Sequence, residues 1–88
     1  MNKCYSHTLA DTDPISLEDI LGPSRVASVA LQAAEANAGN IFFGDKDAQL
    51  LFIQPAGSTD ALPFHNLKDV FIRGSAADVV IIMLFGSK

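Results

Sequence analysis

From Ile41 onward, apolar runs of strand length alternate with turn-forming residues. Ile41-Phe42-Phe43 is closed by Gly44-Asp45-Lys46-Asp47, and Gln49 to Ile53 forms the next run. Gln54-Pro55-Ala56-Gly57-Ser58 has the composition of a turn. Ala61 to His65 reads as extended, with Pro63 on an edge or at a bulge, because proline cannot donate to a ladder. Asp69 to Arg73 and Asp78 to Phe85 read as two more strands, separated by Gly74-Ser75. Strands recurring about every ten residues predict an all-β chain, either a small antiparallel β-sandwich (jelly-roll-like) or a barrel. The last run is apolar almost throughout, so one of its faces belongs to a core and the other to a core or a partner.

The first half is less regular. Residues 1–12 are polar and mixed and read as an N-terminal arm or an edge strand, with a single domain over 13–88. Asp13 to Leu21 predicts a short helical turn, with Asp13 as N-cap and Pro14 at the first helical position. Ser16-Leu17-Glu18-Asp19 also matches a capping pattern, and Gly22-Pro23 stops the turn. Arg25 to Ala36 supports two readings. Its alanines favour helix, whereas Ser24 to Leu31 reads equally well as a strand.

Composition narrows the function classes. The chain has 88 residues, 49% of them hydrophobic and 18% charged, which predicts a folded domain. The net charge is −4, and the six cations are scattered with no two adjacent. Nucleic acids and anionic membrane surfaces both require clustered positive charge, so neither is an expected partner. Cys4 is the single cysteine, which excludes an internal disulfide and a CxxC zinc pair. The start lacks the apolar core of a signal peptide, and the longest apolar run, Val79 to Phe85, is far short of the roughly 20 residues of a membrane helix. At this size, without disulfide or metal, a subunit or host interface would assist stability.

Catalytic chemistry finds little support. His7 and His65 are the available bases, with Ser58 and Asp69 near His65 in sequence, but no motif supplies an oxyanion site. Asp45-Lys46-Asp47 is too poor in oxygen ligands for calcium and reads as a hairpin connection. The glycines match no phosphate-binding pattern. No catalytic, metal or cofactor residue is assigned, and no cofactor is expected. The adjacent Phe42 and Phe43 point to opposite faces of a strand, so one of them is a candidate partner contact. Leu84 and Phe85 are candidates for the same reason, and Tyr5, His7 and Leu9 are the candidates in the arm.

The order of segments from Asn40 to Phe85 carries a resemblance. It runs Ile41-Phe42-Phe43-Gly44, Gln54-Pro55-Ala56-Gly57-Ser58, Leu62-Pro63, Leu67 through Gly74, then Ala77-Asp78-Val79-Val80-Ile81. This resembles the small β-sandwich proteins of tailed-bacteriophage virions, of the head decoration or cement type and the neck or fibre adaptor type. The chain departs from that pattern where the turn reads Pro55-Ala56-Gly57 instead of Pro-Gly, and where Ala77 precedes Asp78 in place of glycine. The resemblance favours strand over helix for residues 25–32, followed by a loop through Asn37-Ala38-Gly39-Asn40. It implies a non-enzymatic virion protein, made in the host cytoplasm, whose partner is the major capsid protein or another virion protein. A homo-oligomer is expected, with a trimer as the guess. The leading expectation is a capsid decoration protein. The alternatives are a neck, tail or fibre-base adaptor, and a small ligand- or carbohydrate-binding module.

Overall fold

The computed structural model describes residues 3–22, 26–63 and 66–86. The expected contributions of Arg25, Phe64 and His65 lie outside the described residues. The fold is a small all-β sandwich of two antiparallel sheets. In chain order its strands are β1 (Lys3–Thr8), β2 (Ile15–Ser16), β3 (Ser28–Ala33), β4 (Ile41–Gly44), β5 (Leu51–Ile53), β6 (Phe71–Arg73) and β7 (Val79–Phe85). One short helix, α1 (Leu17–Leu21), and a 3-10 turn at Leu67–Asp69 complete it. One sheet has the order β1-β7-β3 and the other β2-β6-β4-β5.

β7 is central in the first sheet, and its alternation decides the packing. Val80, Ile82 and Leu84 are buried, whereas Val79, Ile81, Met83 and Phe85 are half-buried on the opposite face. In the second sheet Ile41, Phe43, Ile53 and Ile72 point inward. The two inner faces meet in one cluster, extended by Leu9, Leu17, Val26, Leu67 and Val70. The accessible surface is 5017 Å², in line with the roughly 5,000 Å² of a folded monomer of this mass. The two inner faces thus bury each other within one chain.

β3 settles the ambiguous alanine-rich stretch. Val29, Leu31 and Ala33 alternate inward, and all six strand residues pair with β7, from Ser28 opposite Phe85 to Ala33 opposite Val80. Partner strand and core outweigh alanine's modest helix preference. The outer edge of β3 is covered by the irregular segment 56–62. Val29 and Leu62 exchange backbone hydrogen bonds (3.0 and 2.6 Å), and Ala33 N–H donates to the Gly57 carbonyl (3.0 Å). Between them, Leu31 N–H donates to Thr59 Oγ1 (3.0 Å).

The N-terminal residues 3–8 are an edge strand, paired with β7 from Lys3 opposite Leu84 to Thr8 opposite Val79. Leu9 continues the ladder, donating to Asp78 and accepting from Ala77 (both 2.8 Å), and its side chain is buried. The helical turn starts later than Asp13 and Pro14 predict. Ile15 faces Ile72 across a short strand pair, and Ser16 is the true cap, its Oγ accepting from Asp19 N–H (3.0 Å). Asp69 likewise falls in the 3-10 turn, and the strand expected from it begins at Phe71.

Two turns share one construction. Gly57 N–H donates to the Gln54 carbonyl (2.8 Å) with Ala56 at φ 67°, and Asp78 N–H donates to the Ser75 carbonyl (3.1 Å) with Ala77 at φ 73°. A positive φ at the third residue is the mark of a type II turn, where glycine is preferred. The second turn leads into a buried latch. The Asp78 carboxylate accepts from Ala38 and Gly39 N–H (2.9 and 3.2 Å), and the Asn37 amide exchanges two hydrogen bonds with the Val79 backbone (2.8 and 2.7 Å).

Candidate association surface

The most exposed large apolar side chains lie together at β5. Leu50 is 80% exposed, Leu51 57% and Phe52 56%. β5 is the end strand of its sheet, paired with β4 on one side, with Ile53 opposite Ile41, Phe52 opposite Phe42 and Leu51 opposite Phe43. Its other side carries no strand among the described residues. Ile53 anchors the strand by pointing inward. Phe52 points outward with Phe42, their ring centroids 6.2 Å apart at 51°. From β6, the Arg73 guanidinium lies 4.3 Å over the Phe42 ring. A cation over an aromatic face is attracted by the ring quadrupole, so Arg73 holds one side of the cluster in place.

The exposure of Leu50 is not the result of a loose connection. Asp45 Oδ1 accepts from the N–H groups of Asp47 and Ala48 (2.9 and 2.8 Å), and Asp45 N–H donates to the Ala48 carbonyl (3.0 Å). The Gln49 side chain is buried and donates to the carbonyls of Asp45 and Lys46. Arg73 adds a long hydrogen bond to the Gln49 carbonyl (3.4 Å). Gly44 is required at the base of the loop. A Cβ there would collide with the Ala48 carbonyl oxygen and stand 2.9 Å from Gln49 Cα. The acidic turn read as a hairpin connection is thus a fixed bracket that pushes Leu50 into solvent.

The candidate contacts separate into three groups. Phe42 lies on this surface. Phe43, Leu84 and Leu9 do not reach any surface, being 4%, 7% and 3% exposed and packed in the core. For Phe43 and Leu84 the inward direction follows from strand alternation with Phe42 and Phe85. For Leu9 it follows from its continuing the ladder past Thr8. Tyr5 is half-buried against the core, and His7 is half-buried beside a shallow cleft lined by Leu9, Ala10, Asp11, Asp13, Pro14 and Ile15. Phe85 is half-buried on the outer face of β7, among Val79, Ile81 and Met83 and flanked by exposed Cys4, Ser6, Thr8 and Gln32. Sequence reasoning missed Leu50, Leu51, Phe52 and Arg73. The available signal was charge. Ala48 to Thr59 is the longest stretch without a charged residue, and it spans an edge strand.

Ser58 pairs alongside Gln32 at the covered edge of β3, and Asp69 sits in the 3-10 turn beside α1 with no hydrogen bond to Ser58. His65 is outside the described residues. Among the described residues no three His, Cys, Asp or Glu side chains are grouped to hold a metal. Comparison with known proteins adds no relative: no family model matches the chain, and no curated protein and no solved structure matches it.

Proposed function

We propose that this chain is a non-enzymatic structural protein that associates with another protein chain through its β5 edge, and that it serves on a phage virion as a decoration protein of the capsid. The observation that carries the association reading is the uncharged, apolar edge Leu50-Leu51-Phe52, held outward by a fixed loop. Monomeric proteins guard such edges with charge, proline or covering segments. An exposed strand edge binds through backbone hydrogen bonds and side-chain pockets, with no reaction required.

The virion assignment draws on the resemblance over residues 40–85. One of its departures has a structural counterpart. Ala77 stands where the pattern has glycine, and it holds the positive φ that glycine adopts without strain. The strand Ile41–Gly44 and the strand Val79–Phe85 fall on the segments that carry the likeness.

Antibodies to the chain, applied to phage particles purified from the bacterium that carries its coding sequence, test the proposal. Regular labelling of the head is the expected result in electron micrographs. Labelling confined to the neck or tail would favour the adaptor reading. Particles that lack the chain altogether would overturn the virion assignment.

A further inference from the structure

We infer that the occupant of the β5 edge is a second copy of this chain, paired antiparallel about a two-fold axis to join the two four-stranded sheets into one continuous sheet. The inference rests on reading that edge as an association surface and names its partner.

Three observations point to a copy of the same strand. The first is self-complementarity. Leu50, Leu51 and Phe52 carry no charge or buried polar group that would demand an opposite on the partner, and an isologous contact sets the same patch against itself. The β1 edge does not match it. Lys3, Ser6 and Thr8 are exposed there, and His7 is half-buried, so a head-to-tail β1–β5 contact would set polar side chains against the leucines.

The second is charge placement. The acidic turn Asp45-Lys46-Asp47 lies at one end of β5 and the uncharged turn Gln54-Pro55-Ala56-Gly57 at the other. Antiparallel pairing sets each acidic turn beside the neutral turn of the copy and keeps the two acidic turns at opposite ends. Parallel pairing would put them side by side, at a cost from like charges.

The third is area. At about 200 Å² for a large apolar residue, their exposures leave on the order of 400 Å² on these three residues. A standard interface takes about 800 Å² from each partner. The patch is therefore about half of a standard interface, so the pair is weak and concentration-dependent.

In a two-fold antiparallel pair, a residue near the axis faces its own copy, and directly opposed Cα atoms stand about 4.5–5.5 Å apart, within disulfide range. The test uses the full chain with Cys4→Ser as background and single cysteines at Leu50, Leu51, Phe52 and, as control, Ser6. After mild oxidation, a disulfide dimer is expected at one or two of the β5 positions, with yield falling on either side, and at least tenfold less at Ser6→Cys. Light scattering of the Cys4→Ser chain is expected to give twice the monomer mass at high concentration, and Leu50→Lys in that background the monomer mass. Equal yields at both edges, a ring-like trimer, or a monomer at every concentration would each overturn the inference. A monomer that still labels particle heads would defeat the pairing and spare the proposed function. A dimer absent from particles would do the reverse.

Discussion

Two sheet edges of this sandwich, β1 and β5, meet the same physical problem in opposite ways. β1 pairs with β7 along its whole length and shows the solvent Lys3, Cys4, Ser6 and Thr8. β5 is half as long and shows Leu51 and Phe52, with Leu50 just before it. Any edge strand offers unpaired N–H and C=O groups to another chain, and polar or charged side chains make that offer unattractive. β1 carries such guards and β5 has none. A third solution appears at β3, whose edge is filled by residues 56–62. The difference teaches that exposure at β5 is selective: the same chain covers the β3 edge, guards the β1 edge and leaves Leu50 to Phe52 exposed at β5.

Perturbing the shared foundation should have the largest effect. Ile82 lies on the central strand of the β1 sheet, fully buried at the meeting of both sheets. Ile82→Ala removes buried methylenes and leaves a cavity, so a loss of about 2–5 kcal/mol is expected in chemical denaturation. Both edges should weaken together, visible as faster amide exchange in β1 and β5 alike. Faster exchange in one edge alone would show that the two sheets do not share a core.

A smaller and one-sided effect is expected from Gly44→Ala. The added methyl meets the Ala48 carbonyl and Gln49 Cα, both of them backbone. Overpacking of this kind costs about 1–3 kcal/mol. Exchange should rise in residues 44–53 and stay unchanged in β1. Unaltered exchange throughout would mean that the loop does not hold Leu50 in place.

The smallest effect sharpens the comparison by leaving both edges intact. Ala77 holds φ 73° in the turn before β7. Glycine there removes a left-handed strain of about 1–2 kcal/mol but adds about 0.5–1 kcal/mol of chain entropy to the unfolded state. Ala77→Gly should therefore stabilise the chain by about 0.5 kcal/mol, read as a small rise in the thermal midpoint. A fall would contradict the turn geometry.

The legible parts of this fold were those where side-chain period and burial agree. Val79 to Phe85 alternates across a core, and its run of β-branched and apolar residues reads as a strand without further help. The Ser16 cap was visible as a pattern, yet Asp13-Pro14 offered a competing start. The choice between them was made by Ile15, which pairs with Ile72 from a distant segment. Arg25 to Ala36 could not be resolved locally, because alanine suits a helix and the deciding contacts are with β7, some fifty residues away. The site was harder still. Adjacent phenylalanines signal that one faces outward, and Phe42 does. They do not tell which of several apolar strands ends a sheet. Leu50 to Phe52 reads from sequence only as part of an apolar run; the strand order is what places it at the end of a sheet.

The central claim is that the β5 edge is an association surface and the β1 edge is not. The most direct measurement is sedimentation velocity over a wide concentration range, comparing the native chain with Leu50→Lys and with Ser6→Lys. Leu50 and Ser6 are both exposed, so each variant should keep its fold, with stability changed by no more than about 0.5 kcal/mol. The account predicts a concentration-dependent dimer for the native chain and for Ser6→Lys, and a monomer for Leu50→Lys. A native chain that stays monomeric, or a dimer lost on Ser6→Lys and kept on Leu50→Lys, would contradict it.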